Sequence, residues 1–224
     1  MIKNITNLGD AALYCDFGDK VNKEINSNVI NFFENLQKIE IKGITNISPS
    51  YNKLIISFDP LEIKFEALKE KILKIESKNL INKKSKNIKI PVCCDEEFKL
   101  DISKLSSKLS ISEEEIFNKF FEKEYYCYMT GFIAGMPFLG DIDERIRVKR
   151  LETPRVKVPK GAVGITEQFC NIYTFESPGG WNIIGNTPLN IFDKSKKNSP
   201  SLVKAGDTVN FFKISKKEYL NWND

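Results

Sequence analysis

The chain has 224 residues, of which 41% are hydrophobic and 29% charged, with a formal net charge of +4 and no histidine. This length suits one large domain or two small ones. Acidic and basic residues are interspersed, so the single-sign field that holds a nucleic-acid backbone is missing, and we expect no nucleic acid as a partner. The lack of histidine excludes Ser-His-Asp triads, Cys-His dyads and histidine metal sites, and we expect no metal.

The sequence also indicates the compartment. No apolar run reaches the eighteen residues of a membrane span, and the N-terminal residues form no apolar signal segment. We therefore expect a cytoplasmic protein without membrane contact. The five cysteines are odd in number and form no Cys-x-x-Cys pair, which favours reduced core thiols over a disulfide framework or a zinc knuckle.

Strands and helices alternate in the first part of the chain. Strands are predicted over 11–17, 44–48, 53–59 and 88–93. Two helices are predicted because apolar residues recur every three or four positions. They are Ile25, Val29, Phe32, Phe33 and Leu36 in the first, and Leu61, Phe65, Leu68, Ile72 and Ile75 in the second, which follows Asp59-Pro60.

The order strand, helix, strand, strand, helix, strand is that of a ferredoxin-like split βαβ unit. We assign this small α+β domain to residues 1–87, with the polar and basic stretch 79–87 as a linker. The last strand, 88–93, is compatible with either side of the boundary.

The rest of the chain, 88–224, predicts mainly strands. Two short helices are predicted first, over 101–109 and 112–123, and the second opens with a Ser-x-x-Glu capping box at Ser112 and Glu115. Beyond them, glycine and proline repeatedly interrupt aromatic and β-branched runs, which predicts a closed barrel or a sandwich. The predicted strands are 125–133, 163–175, 181–184, 189–192 and 208–214.

All arginines lie within eleven residues, whereas the rest of the chain uses lysine for positive charge: they are Arg145, Arg147, Arg150 and Arg155. Because a guanidinium can grip a carboxylate or phosphate at two points, this cluster predicts an oxyanion-binding site. Ion pairs with the neighbouring acidic residues are the alternative for some of them. Two prolines flank Arg155 and Lys157 and stiffen the backbone there, so Arg155 is favoured.

Two glycine-rich loops could bring backbone amides to the same anion. The first, 131–140, contains three glycines but no Walker motif, and a plain hairpin is the alternative. The second, Glu176 to Trp181, predicts a tight turn at Pro-Gly-Gly whose amides could form an oxyanion hole. Ser177 has no histidine base, so we assign it a hydrogen-bonding role. Glu176 is either a general base or an ion-pair partner, and Trp181 is either core or a ligand platform.

These loops also resemble a known family. The motifs are Gly-Phe-x-x-Gly-x-x-Phe-Leu-Gly from Gly131, Pro-Arg-x-x-Val-Pro-x-Gly-x-Val from Pro154, and Ser-Pro-Gly-Gly-Trp-x-x-Ile-Gly from Ser177. In this order they resemble the family of B-type 5-oxoprolinase subunits, also called the allophanate hydrolase subunit 1 family. The resemblance implies an α+β domain followed by a cyclophilin-like β-barrel.

The resemblance further implies ATP-dependent opening of the 5-oxoproline lactam to glutamate, with ATP as cosubstrate and a C-type subunit of the same complex as partner. Two alternatives are a non-catalytic protein that regulates a kinase and a carboxyltransferase component of a urea carboxylase system. The predicted site combines Arg155 and Glu176 as catalytic residues with a set of substrate-binding residues. That set is Phe132, Gly135, Lys157, Ser177, Gly179, Gly180 and Trp181.

The chain departs from the family pattern at two places. It has Ala134 and Met136 where the family reads Gly-Phe-x-Pro-Gly-Phe, and Phe169-Cys170-Asn171 where the family reads Gln-Thr-Gly. The second departure removes an amide and a hydroxyl beside the predicted site, which points to a changed substrate or to a protein that binds without reacting.

Overall fold

The structure is a computed structural model that describes residues 1–76, 85–197 and 199–223. The chain divides into two compact units, 1–84 and 85–224. Most of the predicted linker, residues 79–84, lies outside the described residues. Mixed helix and strand, with a closed β-barrel in the second unit, confirm the predicted α+β fold class.

The first unit is a four-stranded antiparallel sheet with two helices. Its elements are β1 (Asn4–Asn7), β2 (Ala12–Asp16), α1 (Lys23–Leu36), β3 (Ile44–Pro49), β4 (Lys53–Phe58) and α2 (Phe65–Glu76). The strands lie in the order β1-β2-β4-β3. The predicted fourth and last strand of the split βαβ unit, 88–93, is not part of this sheet and belongs to the second unit. The edge beside β2 is taken instead by β1, whose Ile5 is buried, although its polar neighbours gave no strand signal.

Both helices pack the face that the spacing predicted. In α1, Asn22 caps the first turn by accepting from the Ile25 amide at 2.9 Å, and Val29, Phe32 and Leu36 are buried. The second helix begins later than expected. Leu61 is 91% exposed, since the chain turns after Asp59, and Ile63 enters the core in its place.

The second unit is a seven-stranded barrel with helices and one extra strand pair. Its strands are β5 (Asn87–Cys93), β6 (Glu124–Thr130), β7 (Pro137–Gly140), β8 (Arg155–Val158), β9 (Ala162–Thr166), β10 (Phe169–Ile172), β11 (Ser177–Gly179), β12 (Asn182–Asn186) and β13 (Thr208–Ile214), and its helices are α3 (Ile102–Leu109), α4 (Glu113–Phe121) and α5 (Lys216–Leu220). The barrel order is β10-β7-β6-β13-β5-β12-β9, closed by pairing of β9 with β10. Strands β8 and β11 form a separate two-stranded sheet.

The barrel core is apolar and includes side chains of the two helices α3 and α4. Leu105 of α3 and Ile116 and Phe120 of α4 pack with inward-facing strand residues. Tyr125 is fully buried among them, and its hydroxyl is satisfied by donation to the Phe120 carbonyl at 2.7 Å. Burial of Tyr125 therefore leaves no polar group of this side chain without a hydrogen-bond partner. All five cysteines are buried, and none is in a disulfide.

Three predicted elements differ in detail. The strand expected over 163–175 is a hairpin, β9 and β10, which turns at Glu167 with a φ of 45°. The stretch 189–192 is not a strand and contributes an isolated bridge between Phe192 and Ser201. At α4, Ser112 caps the Glu115 amide, but the Glu115 carboxylate pairs with Lys119, so the capping box is half formed.

No helix in the described part of the chain combines the length and apolar character that a membrane span requires.

Candidate functional site

The arginine-bearing segment and the second glycine-rich loop, Glu176 to Trp181, meet in the two-stranded sheet outside the barrel. Strand β8 carries Arg155, strand β11 begins at Ser177, and the Cα of Arg155 pairs with that of Gly179. Residues from this sheet, the first loop and the barrel wall form a small apolar cluster: Met136, Val158, Ala162, Tyr173 and Ile183. The sheet therefore covers the outer face of the barrel beside Tyr173.

Arg155 is held by a buried carboxylate. Its Nη2 lies 2.6 Å from Asp101 Oδ1, and the side chains of Arg155 and Asp101 are 26% and 1% exposed. The second carboxylate oxygen of Asp101 accepts from the Ile183 amide at 2.7 Å, and the Asp101 amide donates to the Ile183 carbonyl at 2.9 Å. Asp101 is thereby fixed to β12, and it fixes Arg155 in turn.

Sequence reasoning missed Asp101. It lies 54 residues from Arg155 and was interpreted only as the start of a helix. In the structure Asp101 occupies the N-cap position of α3, but its side chain makes no capping hydrogen bond, because both carboxylate oxygens are used elsewhere. An acidic residue at a helix start is so common that it carries no signal for such a role.

The buried hydroxyl of Tyr173 lies at the centre of the polar groups. A Cβ added at Gly179 would overlap the Tyr173 hydroxyl, so glycine is required there. Burial raises the pKa of Tyr173, against the opposing effects of the Asn171 side chain, the Trp181 amide and the guanidinium groups of Arg150 and Arg155. Tyr173 is therefore a neutral phenol near pH 7, with positive charge close by.

Several buried polar atoms of the β8–β11 sheet and of β10 have no hydrogen-bond partner among the described residues: Arg155 Nη1, Ser177 Oγ, and both Oδ1 and Nδ2 of Asn171. Leaving such atoms unpaired costs about 1 to 3 kcal/mol each, so nearly all buried polar groups in folded proteins are paired. A concentration of exceptions in one place is typical of a site that binds a polar ligand.

The four arginines divide into two pairs. Arg145 binds Asp143 at 2.8 Å, and Arg147 approaches Glu144 at 3.6 Å, as the ion-pair alternative predicted. Arg150 instead lies over the second glycine-rich loop, since its Nε and Nη2 atoms are 3.6 Å from where a Gly180 Cβ would be. Arg150 and Arg155 thus both lie near the Tyr173 phenol.

Two other predicted residues lie at the surface. Lys157 Nζ and Glu176 Oε1 are 3.0 Å apart, and their side chains are 75% and 58% exposed. Glu176 therefore pairs with Lys157 rather than with an arginine. Trp181 is 7% exposed and packs edge to face on Phe138 with ring centroids 5.6 Å apart, so it forms part of the wall.

The first loop borders the site through its backbone. The Ala134 carbonyl accepts from Thr174 Oγ1 at 2.7 Å, next to Tyr173 in the chain. Gly135 has a φ of 70° and no space for a Cβ, because the Phe192 ring packs against it. Phe132 is 69% exposed with a φ of 68°. The predicted residues of this loop thus hold its shape or face outward.

The described residues contain no group of three or more Cys, Asp or Glu side chains arranged to hold a metal ion. The predicted tight turn at Pro-Gly-Gly is wrong, because Ser177–Gly179 pairs with β8 as a strand. The site instead offers hydrogen-bond donors: two guanidinium groups, two hydroxyls and the backbone amides that follow Pro178. Such a set suits oxygen atoms that carry or develop negative charge.

Residues 3–203 match the family model described as the carboxyltransferase domain, subdomain C and D. The chain belongs to this family. Within it, a B-type 5-oxoprolinase subunit from Bacillus subtilis (strain 168) is 33% identical over 229 residues, covering 96% of this chain and 94% of the relative. A B-type 5-oxoprolinase subunit from Haemophilus influenzae is 32% identical over 213 residues, covering 93% and 96%. The resemblance inferred from the loop motifs is confirmed.

The carboxyltransferase fold also occurs in a larger enzyme. The crystal structure of the Kluyveromyces lactis urea carboxylase matches 97% of this chain and 22% of that chain, with a TM-score of 0.78 and 20% sequence identity. At that identity the likeness shows the fold alone, and it agrees with the barrel described above.

Proposed function

We propose that this chain is the B-type component of an ATP-dependent 5-oxoprolinase, which opens the lactam of 5-oxo-L-proline to L-glutamate while ATP is converted to ADP and phosphate. Two relatives named as B-type 5-oxoprolinase subunits match it over more than nine-tenths of its length. The donor-rich site around Tyr173 supports the same function. The observation that carries it is the unpaired Nη1 of Arg155, whose Nη2 is bound by Asp101.

The chemistry explains why such a site is needed. An amide carbonyl is a poor electrophile, and transfer of a phosphoryl group to its oxygen activates the carbon for attack by water. Negative charge develops on phosphoryl and carbonyl oxygens along this route. Fixed donors in a dry site stabilise that charge without having to reorganise.

Arg155 is the best-placed donor for this charge. Asp101 already occupies its Nη2 atom, so Nη1 is the guanidinium nitrogen left for a ligand oxygen. Arg150 adds a second positive charge near Tyr173, and Ser177 adds a hydroxyl. We assign Arg155 to the developing oxyanion and Ser177 with the adjacent glycine amides to substrate binding.

The partner is a C-type subunit. The letter in the relatives' names indicates a complex of several subunits. Apolar side chains at the margin of the site are exposed: Val156 on β8 at 80%, Phe132 in the first loop at 69% and Phe175 before β11 at 42%. Exposed apolar groups beside a site are typical of a surface that another protein covers. We therefore place the partner over these residues, with catalytic groups of its own.

Co-expression of this chain with a C-type subunit, followed by an assay of ATP hydrolysis with and without 5-oxoproline, tests the proposal. We expect 5-oxoproline to stimulate hydrolysis, and Arg155→Ala to lower that stimulated rate about a hundredfold. Arg155→Lys keeps the positive charge but loses the planar guanidinium with its paired donors, and we expect it to restore little activity. A complex that forms but does not respond to any cyclic amide would favour the regulatory alternative, and a response to urea with bicarbonate would favour the carboxyltransferase alternative.

A further inference from the structure

The side chain of Asn171 lies on the face of β10 that points away from the barrel core. Its neighbours Cys170 and Ile172 belong to the core, and side chains alternate along a strand. The Cα partners of Asn171 on the adjacent strands are Phe138 and Gly164. Asn171 thus shares its face with the site around Tyr173, where it is fully buried.

Neither polar atom of the Asn171 carboxamide has a partner among the described residues. Its oxygen is 2.9 Å from where a Cβ of Gly164 would lie, so the glycine leaves room for it, and Trp181 closes the same space. The Asn171 side chain is close enough to the Tyr173 hydroxyl to oppose the rise of the Tyr173 pKa, as a weak donor would, but neither carboxamide atom meets the distance and angles of a full hydrogen bond. A buried donor and a buried acceptor are therefore available side by side.

Another buried asparagine of the same barrel shows the contrast. Asn186 on β12 donates from Nδ2 to the Lys160 carbonyl at 3.0 Å, and its Oδ1 accepts from the Tyr219 hydroxyl at 3.0 Å. Asn186 thereby links three segments of the fold. The Asn171 side chain links no segments. An apolar side chain of the same shape would therefore give the fold equal or greater stability.

We propose that the Asn171 carboxamide recognises the cis amide of the substrate. A carboxamide presents a donor and an acceptor along one edge, so its complement is an amide whose N–H and C=O lie on the same side. A lactam ring imposes that arrangement, whereas ordinary peptide bonds are trans. Asn171 Nδ2 donates to the lactam oxygen, and Oδ1 accepts from the lactam N–H. Urea and primary amides share this chemistry. The inference rests on the proposed function for its choice of a lactam.

The ligand reaches Asn171 beneath the β8–β11 sheet. In the described part of the chain these two strands pair with each other and with no barrel strand. A ligand can therefore enter between this sheet and the barrel without breaking hydrogen bonds between barrel strands. The same sheet carries Arg155 and Ser177, which brings the carboxamide-bound ring next to the oxyanion donors.

The test uses Asn171→Leu, with Asn171→Ala as a second variant without excess bulk and Asn186→Leu as the matched control. Each is purified in complex with the C-type subunit. We expect both Asn171 variants to raise the KM for 5-oxoproline about tenfold, corresponding to two lost hydrogen bonds, with an unchanged KM for ATP and no loss of Tm. Asn186→Leu should lower Tm.

Calorimetric titration of the same complexes with 5-oxoproline, urea and the trans amide N-methylacetamide separates the two proposals. Binding of a cis amide that Asn171→Leu abolishes, in a complex without lactam turnover, would overturn the proposed function and keep the role of Asn171. Normal turnover and binding in both Asn171 variants would overturn the role of Asn171 and keep the proposed function. A fall in Tm matching that of Asn186→Leu, with unchanged KM, would show that Asn171 is structural.

Discussion

Asp101 and Arg155 form an ion pair at 2.6 Å in which the carboxylate is buried and the guanidinium is about a quarter exposed. The carboxylate is also bound by the Ile183 amide, so both of its oxygens accept hydrogen bonds. This places a rigid anion behind a cation that faces the candidate site. The pair orients Arg155 more firmly than the flanking prolines could, because it acts on the guanidinium itself.

We predict that Asp101→Asn weakens both stability and activity. Asparagine must turn its NH₂ group toward either Arg155 or the Ile183 amide, and both are donors, so one hydrogen bond becomes a clash. Breaking a buried pair costs about 3 to 5 kcal/mol, and the partial exposure of Arg155 reduces this to about 2 kcal/mol. Urea denaturation measures the change. The stimulated ATPase should fall with it.

Asp143→Asn is the control for Asp101→Asn, because Asp143 pairs with an arginine that is 62% exposed. We expect a clearly smaller stability change and unaltered activity there. If the two variants behaved alike, the Asp101 pair would be an ordinary surface interaction.

Gly179 and Gly180 offer a second matched comparison. A Cβ at Gly179 would overlap the Tyr173 hydroxyl, whereas a Cβ at Gly180 would meet its nearest atom, in Pro154, at 3.5 Å. We predict that Gly179→Ala displaces Tyr173 or the β8–β11 sheet and lowers Tm by several degrees, since overpacking costs about 1 to 3 kcal/mol. Gly180→Ala should keep the Tm of the wild type. Equal Tm values for the two variants would contradict the close approach of Gly179 to Tyr173.

The elements that could be predicted from the sequence are those whose signal lies within a few neighbouring residues. The helix around Phe32 and the strand of β13 were predicted because their apolar spacing is written within a few residues. Strand β1 was missed, since Asn4, Thr6 and Asn7 are polar and only pairing with β2 makes them a strand. The strands β8 and β11 are equally short and gain their structure from each other.

The residues of the candidate site likewise divide into those with a local sequence signal and those without one. Arg155 and the segment from Ser177 were singled out because proline, glycine and arginine carry distinctive local constraints, but the segment is strand β11 and not the expected tight turn. Asp101 and the unpaired state of Asn171 depend on contacts between distant segments, which no single stretch of sequence records. Tyr173 was passed over as an ordinary aromatic strand residue, although its hydroxyl lies among the site's donors.

The role of Glu176 can be decided by kinetics. We predict that Glu176→Gln lowers the stimulated ATPase rate less than about threefold, because its carboxylate is 58% exposed and bound to Lys157. A true general base contributes about a hundredfold or more. Steady-state kcat of the complex measures the effect, with Arg155→Ala assayed in parallel. A loss as large as that of Arg155→Ala would restore Glu176 to the catalytic role first inferred from the sequence.

Alkaline pH should destabilise the second unit through Cys94. Burial raises the pKa of Cys94 from 9.0 to about 12, so the thiolate forms more readily in the unfolded chain than in the folded one. The resulting stability is complete below pH 9 and is lost as the pH rises from 9 toward 12, by at most about 1.4 kcal/mol per pH unit. Both tryptophans, Trp181 and Trp222, belong to this unit, so their fluorescence follows its unfolding in urea at pH 7, 9 and 10.5. Cys94→Ala lacks the titrating group and should lose less stability over that range. If the variant and the wild type lost the same amount, another group would be responsible.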